Sequence, residues 1–200
     1  MNANLVRPVF IFGAGGHARV IASLLDRPVT FIDRDGEEAF LRDVEKARKS
    51  DIYVGVGENA ARRKLYNRLK TLGISLATCV APTAFIARSA SLGAGCVVCP
   101  GAVVMTGAIL GENVILNTKS SVDHDCQVGD HTQITVGVTL PGGVHIGESA
   151  FFGVASATFP RIVIGDNVVV RGGSLVIEDV PDNVVVGGNP AKILRSVDGL

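Results

Sequence analysis

The sequence lacks net charge, a basic tract and a long hydrophobic run. Its 200 residues include 19 lysines and arginines and 19 aspartates and glutamates, so the formal net charge is +0. Binding to nucleic acid or to an anionic membrane surface is therefore a poor prediction. The early apolar run at residues 8–13 is far too short to span a bilayer and carries no signal-peptide cleavage pattern. We expect a cytosolic protein that neither binds nucleic acid nor inserts into a membrane.

Cysteine is scarce as well, with four in the chain. Cys96 and Cys99 have the C-x-x-C spacing of zinc and redox motifs. A tetrahedral zinc site needs further ligands, and no second pair lies nearby in the sequence. Cys96 and Cys126 also fall in a column of small side chains, which favours a role as core residues. We expect no metal.

The chain does contain a six-residue repeat, which runs through residues 86–181 without a slip. Fifteen of the sixteen residues in its first column are apolar, against 47% of the whole chain. That column is Ile86, Leu92, Val98, Val104, Leu110, Leu116, Val122, Val128, Ile134, Leu140, Ile146, Phe152, Thr158, Ile164, Val170 and Val176. The residue four positions after each of these is small or β-branched. A parallel β-helix of hexapeptides explains both columns, whereas periods of 3.6 or 2 residues do not.

Each hexad is predicted to form a short strand and one corner of a three-sided prism. The first-column residue fills the middle of a face, and the small residue fits a corner that a larger side chain would overfill. A strand spacing of about 4.8 Å gives roughly five coils and a column about 25 Å tall. The open ends of such a solenoid need irregular caps, for which the segment before the repeat and the tail from residue 182 are candidates. We therefore divide the chain into domains at residues 1–80 and 81–200.

The first domain is predicted to be an α/β unit about half the size of a Rossmann domain. Strands are expected at residues 9–12, 30–32 and 52–56, and helices at residues 19–25, 43–49 and 60–72. The basic side chains of the last helix are expected to form a solvated face; they are Arg62, Arg63, Lys64 and Arg68.

A glycine-rich turn follows the first strand, at residues 13–17. Backbone N–H groups of such a turn and the following helix N-terminus can bind a phosphate. Asp33 stands where a ribose-binding acid would stand in a dinucleotide fold, so NAD is one candidate ligand. A half-sized unit fits a ligand with one nucleotide and a pyrophosphate better, such as a nucleotide sugar. A glycine turn that only packs the strand on the helix is the third interpretation.

One hexad, residues 122–127, carries a candidate general base. His124 lies between the inward-facing Val122 and Cys126 and is expected to face outward, with Asp123 and Asp125 on either side. A carboxylate beside a histidine fixes its tautomer and stabilises the imidazolium, which suits a general base. An ordinary surface histidine is the alternative, and His131 and His145 stay unassigned.

Residues 86–195 resemble the hexapeptide-repeat acyltransferases. The whole chain resembles the bacterial family of sialic acid O-acetyltransferases and nucleotide-sugar N-acetyltransferases. The matching strings are FIFGAGGH at residues 10–17, FIDR at 31–34, VGVGEN at 54–59, VILNTKSSVDHDC at 114–126 and VVVGGNPAK at 184–192.

The resemblance implies a left-handed coil and transfer of an acetyl group from acetyl-CoA to a nucleotide-linked amino sugar. The sugar would be of the 4-amino-4,6-dideoxyhexose type, used in bacterial glycan biosynthesis. It further implies a homotrimer with active sites between adjacent prisms. His124 would be the base, Asp125 would raise its basicity, and the N–H of Gly142 would stabilise the oxyanion.

The resemblance also assigns the ligand-binding residues. Asn117 would orient the acceptor, and Val154 and Gly172 would line the CoA channel. Gln133 stands where the family commonly has a histidine that contacts CoA. The positions that would bind the nucleotide sugar are Gly15, Gly16, His17, Asp33, Arg34 and Gly57.

Some residues depart from the family pattern, and two other functions stay open. Asp125 stands where glutamate is frequent, and Arg34 stands where an acid is common. The first alternative is a related enzyme with another acyl donor or acceptor, such as a sialic acid O-acetyltransferase. The second is a non-catalytic nucleotide-binding module that the β-helix only trimerises.

Overall fold

The computed structural model describes residues 7–197, and the chain divides between Cys79 and Val80 into two compact units. The first unit has a parallel three-stranded sheet with strands β1 (Val9–Phe12), β2 (Thr30–Ile32) and β3 (Asp51–Val54). Their order in the sheet is β2-β1-β3. Its helices are α1 (Gly16–Leu24), α2 (Glu37–Leu41), α3 (Val44–Arg48) and α4 (Asn59–Thr71).

The three strands of the first unit end at one edge of the sheet. Phe12 at the end of β1 pairs with Ile32 on β2 and with Val54 on β3. The loops that follow the strands therefore share this carboxyl edge, where parallel α/β sheets bind ligands.

Helix starts in the first unit are set by side-chain caps where glycine is not used. Asp43 caps α3 by accepting the Lys46 N–H at 2.9 Å. Glu58 caps α4 with both carboxylate oxygens, which accept the N–H groups of Ala60 and Ala61 at 2.8 and 2.7 Å. The sequence did not predict α2, a single short turn, and it placed the start of α1 three positions late.

Arg62 contradicts the prediction of a solvated basic face on α4. Its side chain is fully buried, whereas Arg63 and Lys64 are exposed and Arg68 forms an ion pair with Glu38 at 2.8 Å. Arg62 lies three, four and seven positions before the buried Leu65, Tyr66 and Leu69. This is the spacing of one helix face, so Arg62 continues the inward stripe by one turn.

The second unit is a three-sided parallel β-helix. Face 1 comprises Cys79–Val80, Val97–Val98, Ile115–Leu116, Gln133–Ile134, Phe151–Phe152, Val169–Val170, Val184–Gly188 and Ala191–Ser196. Face 2 comprises Phe85–Ile86, Val103–Val104, Ser121–Val122, Thr139–Leu140, Ala157–Thr158 and Leu175–Val176. Face 3 comprises Ser91–Leu92, Ile109–Leu110, Gln127–Val128, His145–Ile146 and Val163–Ile164. The predicted fold class, a half-Rossmann-like α/β domain followed by a left-handed parallel β-helix, is confirmed.

Both columns of the six-residue repeat lie inside the prism. First-column residues such as Leu116 and Val122 and corner residues such as Cys96 and Cys126 have no exposed surface. Thr158, the one polar residue of the first column, is also buried. Each strand pairs with the strand three hexads further along the chain, as Leu116 does with Ile134, which confirms three hexads per coil.

The corners share one backbone conformation. From residue 95 to residue 173, the residue three positions after each first-column residue has φ between 54° and 73°. Eight of these residues, including Asp125, are not glycine. The left-handed conformation turns the chain from one face to the next and fixes how the corner side chains project.

The regular spacing ends in the last coil. Val169 pairs with Val185, two positions short of the three-hexad spacing, and Val180 bridges to Ile164. Val184–Gly188 then pairs antiparallel with Ala191–Ser196, so a hairpin completes face 1. Within residues 7–197, every helix is too short or too polar to cross a bilayer.

Candidate active site

His124 and Asp125 form a hydrogen-bonded pair on the corner that follows face 2. Nδ1 of His124 lies 2.9 Å from Oδ2 of Asp125. Asp125 has φ 58° and donates its backbone N–H to the carbonyl of Thr106 at 3.0 Å, which anchors the corner to the previous coil. Both side chains are more than half exposed, at 57% and 72%. The pair is therefore accessible to a substrate.

The carboxylates beside His124 set its protonation. The hydrogen bond from His124 to Asp125 raises the pKa of His124, and the charges of Asp123 and Asp125 act in the same direction. Asp123 also accepts the backbone N–H of His124 at 2.7 Å. Because Asp125 occupies Nδ1, Nε2 is the nitrogen that remains to exchange a proton with a substrate.

Gly142 lies one coil beyond His124 and makes room for its ring. A Cβ built on Gly142 would overlap the imidazole at Nε2 and Cε1. The neighbouring Gly143 donates its N–H to the carbonyl of His124 at 2.9 Å, while the N–H of Gly142 has no acceptor within residues 7–197. An unpaired backbone donor therefore lies beside the imidazole, as an oxyanion site requires.

Val154 and Gly172 lie together on a second corner of the prism, the one that follows face 1. A Cβ on Gly172 would lie 3.1 Å from the carbonyl oxygen of Val154, and Gly173 donates to that oxygen at 2.8 Å. The Val154 side chain is 57% exposed. Within one protomer, face 2 separates this corner from the His124 corner.

Gln133 lies on face 1, and Asn117 begins the corner that follows this face. Oδ1 of Asn117 accepts the Thr118 N–H at 2.8 Å, so its NH₂ group is directed away from the backbone. Oε1 of Gln133 is buried without a hydrogen-bond partner in the described chain. The hydroxyl of Thr135 is also buried without a hydrogen-bond partner in the described chain. Thr135 lies beside Asn117 in the next coil. Thr135 was not predicted as a site residue, although its position three hexads after Asn117 could have indicated it.

The glycines of the first unit divide into two kinds. Gly13 has φ 109°, and a Cβ there would lie 2.9 Å from the carbonyl of Gly55, so the fold itself requires glycine. A Cβ on Gly15 or Gly16 would meet no atom within 4 Å. The fold leaves open space at these two positions, as a site for an approaching ligand requires.

The other predicted nucleotide-sugar residues also lie at the carboxyl edge. A Cβ on Gly57 would lie 3.6 Å from Cβ of His17. Nε2 of His17 is buried with no partner in the described chain, and burial together with Arg62 lowers the pKa of His17 to about 4. Asp33 and Arg34 are exposed after β2, and Oδ1 of Asp33 accepts the Gly36 N–H at 2.9 Å.

Comparison with known proteins identifies the family. The acetyltransferase domain of PglB from Neisseria gonorrhoeae is 33% identical, with a TM-score of 0.89, over 94% of this chain and 100% of that one. PerB from Caulobacter crescentus, solved in complex with CoA and GDP-perosamine, is 32% identical with a TM-score of 0.90 over 95% of this chain and 98% of its own. A model of the PglD N-terminal domain matches residues 8–69. The chain belongs to the hexapeptide-repeat sugar acetyltransferases.

The family predicted from the sequence is thus confirmed. Curated relatives match this hexapeptide acetyltransferase over a shorter stretch. Serine acetyltransferase 2 from Arabidopsis thaliana is 35% identical over an alignment 99 residues long, which covers 44% of this chain and 31% of that protein. The chain therefore spans about three-tenths of the length of the curated relatives it matches first.

Proposed function

We propose that the chain transfers the acetyl group of acetyl-CoA to the amino group of a nucleotide-linked amino sugar in bacterial glycan biosynthesis. The observation that carries this proposal is the His124–Asp125 pair packed against the unpaired N–H of Gly142. The PerB structure, which holds CoA and GDP-perosamine together, supports both the donor and the class of acceptor.

The corner residues divide the chemistry among them. Nε2 of His124 takes a proton from the acceptor amine as its nitrogen adds to the thioester carbonyl. Asp125 stabilises the imidazolium that forms, and the Gly142 N–H donates to the negatively charged oxygen. As the carbon–sulfur bond breaks, the imidazolium gives the proton to the departing thiolate. The proton and electrons balance without a metal or redox step.

The acceptor's nucleotide binds at the carboxyl edge of the first unit. The open space at Gly15 and Gly16 admits a diphosphate to the backbone N–H groups, and the buried Nε2 of His17 is free to bond it. Asp33 keeps one carboxylate oxygen for the ribose, since the other binds the Gly36 N–H. Arg34 and Gly57 complete this edge. A mononucleotide ligand suits a sheet of three strands better than NAD does.

In this proposal, residues on and next to face 1 bind the acetyl-CoA donor. Val154 and Gly172 form one wall for CoA, and the buried Gln133 Oε1 accepts a hydrogen bond where the family has a histidine. The amide NH₂ of Asn117 orients the acceptor.

The proposed assembly is a homotrimer. Large apolar side chains that remain about half exposed are Phe85, Ile109, Val136, Val154, Phe159 and Val163. Contacts between prisms would bury such residues. The base and the proposed CoA wall also lie on different corners, so a neighbouring prism can bring a second subunit's Val154 corner to His124.

The test is turnover with defined substrates. Release of free CoA thiol is followed with acetyl-CoA and a panel of UDP- and GDP-linked 4-amino sugars, their 4-hydroxy analogues and sialic acid, with mass spectrometry of the product. We expect acetylation of an amino sugar, and His124→Ala should lower kcat by about 10²- to 10⁴-fold while acetyl-CoA binding is kept. Turnover of the hydroxy analogue or sialic acid alone would establish O-transfer, and no turnover at all would favour the non-catalytic module.

A further inference from the structure

Arg62 is the largest fully buried side chain in the described chain, with 0% of its surface exposed. Arginine is among the residues least often fully buried, because a guanidinium loses its hydration there. The first turn of α4 could carry an apolar residue at this inward position, as Leu65 and Leu69 do further along the same face. A buried cation at this point therefore requires an explanation beyond packing.

The position of Arg62 connects it to the proposed phosphate site. Its Nη1 donates to the carbonyl of Gly57 at 3.4 Å, and Gly57 packs against His17. Arg62 thus lies directly behind the carboxyl edge, on the protein side of the glycine turn. Burial lowers the pKa of Arg62 to about 10, and the charge of Glu58 opposes this, so the guanidinium stays positive at neutral pH.

We propose that Arg62 is a positioning residue for the acceptor's diphosphate, acting as a fixed positive charge behind the glycine turn. This inference rests on the proposed function, because it presumes phosphates at that edge. A charge held in a poorly solvated position acts on a nearby anion more strongly than an exposed lysine or arginine would.

A second consequence concerns His17. Burial and, to a smaller extent, the neighbouring charge of Arg62 lower the pKa of His17, so the imidazole stays neutral and presents its buried Nε2 to the ligand. The other charged side chains around this edge are Arg19 on α1, Asp33 and Arg34 after β2, and Glu58 before α4. Besides burial, Arg62 is the group that lowers the pKa of His17.

The experiment compares Arg62→Gln and Arg62→Lys with Arg63→Gln, which removes the same charge from the exposed face of α4. Calorimetry measures binding of UDP-N-acetylglucosamine, GDP-mannose and acetyl-CoA between pH 5.5 and pH 8. Both nucleotide sugars are phosphodiesters whose charge does not change in this range, so a pH effect reports the protein.

We expect Arg62→Gln to weaken binding of the preferred nucleotide sugar by about tenfold at pH 8, as loss of a charged interaction of about 1.4 kcal/mol would. The loss should be similar across this pH range, because burial, the larger cause of the low His17 pKa, remains in the variant and keeps the imidazole neutral. Arg62→Lys should keep most of the affinity without a pH dependence, and acetyl-CoA binding should stay within about twofold throughout.

Two results would overturn the inference: an equal loss for acetyl-CoA, or a folded Arg62→Lys protein that binds nucleotide sugar poorly. If Arg62→Gln does not fold, Arg62→Lys still decides between a charge and a purely structural guanidinium. A wild type that acetylates amino sugars but whose Arg62 variants bind normally would refute this inference alone. A wild type that binds neither nucleotide sugar would refute the proposed acceptor site as well.

Discussion

His124 illustrates how a single exposed residue can acquire the properties of a base without burial. Its ring is 57% accessible, and the hydrogen bond to Asp125, rather than desolvation, dominates the shift of its pKa. The left-handed backbone at Asp125 brings that carboxylate back onto Nδ1 from the next residue in the chain. The hydrogen-bonded pair therefore depends on the backbone conformation of the corner.

This origin of the pKa shift predicts the pH dependence of turnover. Only the neutral imidazole accepts a proton, so kcat/KM should rise with pH through the His124 pKa, which lies above its ordinary value of 6.5. Asp125→Asn removes the carboxylate, so the pKa should fall and the rising limb should move to lower pH. Steady-state pH profiles of both proteins measure this. A limb that stays in place would show that another group titrates.

The position of Gly142 predicts that replacing it with alanine lowers activity with little loss of stability. In Gly142→Ala the methyl group overlaps the imidazole, and the exposed ring can rotate away, so kcat should fall by about 10²-fold while the melting temperature changes little. Gly137→Ala is the matched control, because a Cβ at Gly137 meets no atom but its φ of 68° is unfavourable for alanine. It should cost about 1 kcal/mol of stability and leave kcat unchanged. The reverse pattern would contradict the proposed role of Gly142.

At the scale of elements, the sequence predicted the features that the six-residue period determines. Inward side chains such as Val122 and Cys126 recur at fixed spacing because each corner turns the chain in the same way. The shortening of the last coil was not predictable, because the apolar period ends there. The burial of Arg62 was missed because charge in a helix usually indicates solvent.

Close contacts between neighbouring coils were also not predictable from the sequence. A Cβ on Gly129 would lie 2.5 Å from the backbone of Gly147, so glycine is required by the close approach of one coil to the next. Such an approach cannot be read from one hexad alone. Among the parts of the candidate site that face solvent, the glycine turn and His124 were predicted from the residues themselves and Val154 by resemblance, and their roles stay predictions.

The structure of the glycine turn predicts that substitutions at two of its glycines have different effects, one on acceptor binding and the other on stability. Gly15→Val adds bulk where the fold has open space, so it should raise the acceptor KM strongly, with at most about 1 kcal/mol lost at the helix start. Acetyl-CoA affinity should stay within a few-fold. Gly13→Ala should instead lower the melting temperature, because its Cβ would meet the carbonyl of Gly55. Kinetics and thermal unfolding separate the two, and an unchanged acceptor KM in Gly15→Val would remove the nucleotide from this turn.

At the scale of the whole molecule, the proposed chemistry is divided between two corners of the prism. Face 2 lies between His124 and the Val154–Gly172 wall, and one hexad of extended chain spans at most about 20 Å. A single prism therefore presents the base and the CoA wall to different neighbours. In the proposed closed trimer, each His124 corner would lie against the Val154 corner of the next subunit, which would make three equivalent sites.

Mixed assemblies of two inactive variants test this division. His124→Ala removes the base but keeps the CoA wall, and Val154→Trp blocks the wall but keeps the base. The two proteins are co-expressed with different tags and purified through both. Each mixed cyclic trimer then contains one intact site, so kcat per trimer should recover to about one third of the wild-type value. Either variant alone should stay inactive. Mixed trimers without activity would place the base and the CoA wall in the same subunit, and a particle of 20.8 kDa in light scattering would exclude the trimer itself.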